Sequence, residues 1–114
     1  MVRAELNGDE APAIIAQRTV LVLSGAQYKV QFDGITSDQG TFEIEPIRRN
    51  QKLNLTGTFG PNKGKSLACI FQHVGERLRI CYGLDGITPD DFKTAGCQNR
   101  YLVTYRRLPT KKSL

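Results

Sequence analysis

The sequence predicts an all-β fold: a single eight-stranded antiparallel up-and-down β-barrel with one short helix or helical turn in its long loops. Three observations carry that reading. Apolar residues alternate with polar ones at period two in four separate stretches, the pattern of strands with one wet face. Turn pairs such as Asn7-Gly8 and Asp33-Gly34 separate the stretches at hairpin spacing. The chain has 114 residues, enough for one core and no second domain. A two-sheet sandwich is the competing architecture.

The segments follow in order. Met1 to Leu6 sets Val2, Ala4 and Leu6 on one side, and Asn7-Gly8 ends it. Asp9 to Gln17 is rich in Ala and Ile, and a short helix is expected after Pro12. Thr19 to Leu23 is a less regular strand, closed by Ser24-Gly25. Gln27 to Asp33 alternates cleanly, with Tyr28, Val30 and Phe32 opposite Lys29, Gln31 and Asp33. Thr41 to Glu45 sets Phe42 and Ile44 opposite Thr41, Glu43 and Glu45. Lys52 to Phe59 places Leu53, Leu55 and Phe59 opposite Lys52, Asn54, Thr56 and Thr58. Ser66 to His73 and Tyr101 to Arg107 are less regular, while Arg77 to Gly83 sets Leu78, Ile80 and Tyr82 opposite Arg77, Arg79 and Cys81. In the longest connection, Leu84 to Asn99, Thr88-Pro89-Asp90-Asp91 reads as a helix start: an N-cap, a proline at the first position and acids in the first turn. Gly96 would end that helix.

Composition narrows the function classes. Charged residues make up 24% and hydrophobic residues 39%, a globular balance. The apolar runs Ala11 to Ala16 and Leu67 to Phe71 are far shorter than the roughly 20 residues of a membrane span. No basic-then-apolar leader opens the chain, so a cytoplasmic location and reduced Cys69, Cys81 and Cys97 are expected. The net charge is +5, and Arg106, Arg107, Lys111 and Lys112 supply four of the positive charges within the last nine residues. The domain is therefore assigned to residues 1–107 and a basic C-terminal tail to 108–114. The aromatics lie on inward faces, not interleaved with this charge, which excludes specific nucleic-acid recognition.

Each apparent chemical motif has a simpler account. Gly60-Pro-Asn-Lys-Gly-Lys-Ser66 has only three residues between its glycines, and an apolar strand follows where a phosphate loop needs a helix. It reads as a hairpin turn. Asp90 and Asp91 are adjacent on a helix start and serve the cap, not acid–base chemistry. His73 is the only histidine, so no nucleophilic triad or multi-histidine metal site is built around it. Cys69, His73 and Cys81 share one hairpin at spacings that match no zinc knuckle. A three-residue turn would set Cys69 across from Cys81, and a two-residue turn would set them on opposite faces. Asn54-Leu55-Thr56 matches the glycosylation acceptor only incidentally, in mid-strand. No catalytic residue, metal or cofactor is expected.

Glu5-Leu-Asn-Gly8, Tyr28-Lys-Val30, Gly40-Thr-Phe-Glu-Ile44 with Pro46, and Gly64-Lys65 form an ordered series. Ile70-Phe71, Gly75-Glu-Arg-Leu78, Ile80-Cys-Tyr82, Pro89 with Phe92, and Tyr105-Arg-Arg107 continue it. Together they resemble the lipocalin-like domain of roughly a hundred residues that is abundant in planctomycetes, a bacterial family of unassigned function. The resemblance runs from Arg3 to Arg107 and implies an eight-stranded calycin-type barrel. It also implies a Gly-x-Trp element ahead of the first strand, whereas this chain contains no Trp. Arg107 matches the terminal-strand arginine that calycins pack over that Trp. Thr88 stands where the family commonly has Arg, and Phe71 where Tyr is frequent.

The leading expectation is a non-enzymatic domain that binds a small hydrophobic molecule inside the barrel, as a monomer or weak dimer. Tyr28, Phe32, Phe42, Phe59, Ile80 and Tyr82 would line that ligand or simply fill the core. The alternative is a protein-interaction or regulatory module with a packed interior and a protein partner.

Overall fold

The computed structural model describes residues 1–46, 51–94, 96 and 99–107. The strands are β1 (Arg3–Leu6), β2 (Asp9–Glu10), β3 (Thr19–Ser24), β4 (Gln27–Phe32) and β5 (Ile35–Pro46), then β6 (Gln51–Phe59), β7 (Ser66–Val74), β8 (Arg77–Gly83) and β9 (Arg100–Arg106). The helix α1 (Ala13–Arg18) joins β2 to β3. Pro12 precedes it at φ −55°, the fixed geometry that makes proline a natural helix opener. The all-β class and the eight expected strands are present, and β2 is an addition that its two residues were too few to announce.

All nine strands form one antiparallel sheet in the order β2-β1-β9-β8-β7-β6-β5-β4-β3. Hairpins from β3 to β8 account for most of that order. At Asn7-Gly8 and Asp33-Gly34 both turn residues have positive φ (52° and 92°, 55° and 82°), the mirror-image turn that suits the twist of the flanking strands. The sheet is not closed into the expected eight-stranded barrel, because β2 and β3 are its two edges. The reason is local. β2 takes the far edge of β1, pairing Glu10 with Glu5 and Asp9 with Leu6, and the crossing to β3 is made by α1 instead of a strand.

The sheet nevertheless curls. Ala4 of β1, Tyr28 of β4, Leu53 and Leu55 of β6, Ile80 of β8 and Val103 of β9 belong to one buried cluster. Strands about 4.8 Å apart in a flat sheet would keep β1 and β4 far beyond side-chain reach. Only a coiled sheet brings them to one concave face.

The convex face has a smaller core. Ile70 pairs with Cys81 in the β7–β8 ladder, and both are fully buried although they point away from the main cluster. The connection after β8 folds back over this side. Phe92 stacks under the Arg79 guanidinium at 4.3 Å, and Asp90 and Asp91 each accept a 2.8 Å hydrogen bond from Arg100. The helix expected at Thr88 does not form among the described residues of this connection. Its two carboxylates satisfy a guanidinium on β9 instead of a helix N-terminus, a charge-assisted arrangement with both nitrogens engaged. Residues 108–114, the expected basic tail, and Cys97 lie outside the described residues.

Candidate functional site

The β7–β8 turn decides the fate of the cysteines. Val74 pairs with Arg77, so Gly75 and Glu76 form a two-residue turn, and the ladder pairs Cys69 with Tyr82. Cys69 therefore faces the concave core and Cys81 the convex one. Both are buried, and no disulfide joins them. Burial, with Cys81 nearby, pushes the Cys69 thiol far up, away from the thiolate needed for nucleophilic or metal chemistry. Gly60 to Ser66 is a turn leading into β7, with Gly64 donating to the Gly57 carbonyl at 2.9 Å. Among the described residues no group of three His, Cys, Asp or Glu side chains is placed to hold a metal ion, and no helix is long and apolar enough to cross a membrane.

Among the described residues, the concave side carries an inner and an outer concavity. The inner one has a volume of about 60 Å³. Tyr28, Phe42, Ile80 and Tyr82 line it, as the alternation predicts, together with leucines of β3, β6 and β8 and with Phe71. Phe32 and Phe59 do not reach it. They share the parity of the lining residues but sit at strand ends, 36% and 52% exposed. A one-residue shift at Val30/Gln31 lies just before Phe32, and another at Gln39/Gly40 adjoins the partner of Phe59. Such bulges bend a strand away from its ladder.

The interior is electrically quiet. Tyr28 is 3% exposed, and its hydroxyl has no hydrogen-bond partner among the described residues. Desolvation, with smaller contributions from Asp38 and Cys69, pushes its phenol up to about 12. Burial first, and neighbouring phenols and Cys69 second, raise Tyr82 well above its ordinary value, while its ring packs against Tyr101 with centroids 5.5 Å apart. Tyr105 is raised by burial first, then by Tyr101 and Asp38. These groups stay neutral at physiological pH and offer no general base.

The outer concavity is a groove of about 640 Å³. One wall is the β3 edge, Val20 to Leu23, and the other is formed by Tyr105, Arg106 and Arg107 at the end of β9. Leu21, Leu23, Phe71 and Leu78 line both concavities, so the groove is the mouth of the core. His73, Glu76, Arg106 and Arg107 make its rim polar, with the Arg106 Nε 3.7 Å from a Glu76 carboxylate oxygen. Sequence reasoning placed the two arginines at the end of the last strand, within residues 1–107, read their charge as part of a solvated basic end, and missed this wall. The available signal was Thr19 to Ser24 itself, a strand apolar on both faces and without a charge, which leaves an edge unprotected.

No family model, curated protein or solved structure matches this chain.

Proposed function

We propose that the protein is a non-enzymatic, lipocalin-like interaction domain that binds its partner through the groove between β3 and β9. The observation that carries this is the contrast in size. The interior holds about 60 Å³, far below the roughly 300–1,000 Å³ of ordinary ligand pockets, whereas the groove holds about 640 Å³ and is walled by an uncharged strand edge. The neutral phenols and the raised Cys69 thiol support a role without bond-making chemistry. The meander of hairpins from β3 to β8, with β1 beside β9, supports the lipocalin-like description.

Binding of a small apolar molecule is the second reading, favoured by the apolar floor that the groove shares with the inner cavity. Native mass spectrometry and a dodecanol titration decide between them. The interaction reading expects the chain mass alone and no saturable dodecanol binding. A retained small molecule, or one-to-one dodecanol binding weakened by Phe42→Ala, overturns it in favour of the ligand.

A further inference from the structure

The groove lies between two strand edges, and the ladders behind them set where each backbone group points. On β3, the register runs from Thr19↔Phe32 to Ser24↔Gln27, and just before it Asp33 donates to the Arg18 carbonyl at 2.8 Å. Alternate residues therefore bond to β4: Val20, Val22 and Ser24. The N–H and C=O groups of Leu21 and Leu23 point the other way, into the groove. Thr19 has the same parity, and its carbonyl accepts a hydrogen bond from the Met1 amine across the seam.

On β9, Arg107 donates to the Glu76 carbonyl, so the odd-numbered residues bond towards β8 and the even-numbered ones towards β1. Val2 accordingly donates to the Thr104 carbonyl at 2.7 Å. Arg106 is the next residue of that parity, and the β1 ladder ends at Arg3↔Thr104.

Met1 bonds to β3 and Val2 to β9, so the chain ahead of Arg3 runs between the two strands, although Val2 shares the Thr104 that the ladder pairs with Arg3 and the register slips by one residue there. Six antiparallel steps separate β9 from β3, so these two edges run in the same direction and β1 opposes both. The groove continues the line of β1 between them. From this geometry we infer that the groove takes an extended polypeptide segment of a partner protein, antiparallel to both edges. The segment bonds to Arg106 on one side and to Leu21 and Leu23 on the other, adding a strand that completes the curled sheet. This rests on the reading that the protein works through its seam.

The walls also state the segment's side-chain chemistry. Positions opposite Leu21 and Leu23 face the floor formed with Phe71 and Leu78, and take Val or Leu. The position opposite Arg106 faces solvent beside Arg106 and Arg107, whose charge exceeds that of Glu76, and takes an acid.

The probe is the peptide acetyl-Thr-Val-Thr-Leu-Glu-amide, titrated into the whole chain by calorimetry while amide exchange is followed. One analogue carries N-methyl groups on Val and Leu, and another has Lys for Glu. Binding should slow exchange at Leu21, Leu23 and Arg106. N-methylation should weaken it at least tenfold, and the Lys analogue should bind about fivefold more weakly at low salt. Leu21→Pro should lose at least the same tenfold, because it deletes a donor that faces the groove together with one leucine of the floor, while the β4 ladder, which Leu21 does not bond to, stays intact. Binding indifferent to both N-methylation and Leu21→Pro overturns strand addition and leaves the interaction reading standing. Saturable dodecanol binding with no peptide binding overturns both. Failure of every peptide to bind, without dodecanol binding, overturns the inference alone. So does a concentration-dependent dimer that protects Leu21 and Leu23 without peptide, since a second copy then holds the edge.

Discussion

The Met1 amine donates a 2.5 Å hydrogen bond to the carbonyl of Thr19, and this one contact spans two strands that share no ladder. It ties β1 to β3 at the top of the seam, and below it the edges separate into the groove. Desolvation there lowers the pKa of the amine. Below that contact the β3 edge leaves the backbone groups of Leu21 and Leu23 directed into the groove.

Tyr28 carries a buried hydroxyl without a partner among the described residues, which costs desolvation and returns no hydrogen bond. Tyr28→Phe should therefore be neutral or stabilising, by up to about 1 kcal/mol in urea denaturation. The phenol also sets an alkaline limit. The folded chain holds this proton to about pH 12 while the unfolded chain releases it near 10. Stability should fall as pH rises through that window, and part of the fall should vanish in Tyr28→Phe. A loss above about 1 kcal/mol at neutral pH would mean that the hydroxyl has a partner after all.

Gly40 sits under the Tyr28 ring at the β5 bulge. A Cβ there would lie 2.1 Å from the Thr56 carbonyl oxygen and 2.8 Å from Tyr28 Cε1. Backbone cannot yield as a flexible side chain can, so Gly40→Ala should cost about 3 kcal/mol. Around Gly64 there is open space, with nothing within 4 Å of where a Cβ would stand, but φ is +78°. Gly64→Ala should therefore cost only about 1 kcal/mol of backbone strain. Equal effects in thermal melts would contradict this packing.

Phe42 and Phe59 share parity but differ in depth. Phe42→Ala should cost about 2 kcal/mol, below the roughly 3–5 kcal/mol of a fully buried phenylalanine because the ring is half-buried. Phe59→Ala should cost less than about 1 kcal/mol. Chemical denaturation of both checks the order, and a larger loss at Phe59 would reverse it.

The convex-side connection is held by charge. The Arg100 hydrogen bond lowers the pKa of the Asp90 carboxyl below its ordinary 3.8. A lowered folded-state value stabilises above the unfolded pKa and is lost as pH falls through the folded one. Loosening of the connection should therefore begin only below pH 3.8, as read from the Phe92 ring signals by NMR. Arg100→Met should loosen it at neutral pH. Unchanged Phe92 signals in that variant would remove the clamp from the account.

Strand parity was legible in residues such as Leu53, Leu55 and Ile80, whose alternation places them in the core where they lie. Depth along a strand was not, because period two says which face a side chain takes and nothing about how far the opposite wall extends. Phe32 and Phe59 show that limit. Thr88 to Asp91 carries every local sign of a helix start, yet Arg100, nine and ten residues further on at the start of β9, offers those carboxylates a better partner. The seam was illegible for a similar reason: alternation predicts strands, but closure depends on whether a two-residue strand such as β2 takes an edge first.

Amide hydrogen exchange along β3 tests the open seam most directly. Val20 and Val22 bond to β4 and should exchange slowly, while Leu21 and Leu23 face the groove and should exchange at least about a hundredfold faster. Equal protection at all four amides would mean that β3 is paired on both sides, that the barrel is closed, and that the groove is not a binding site.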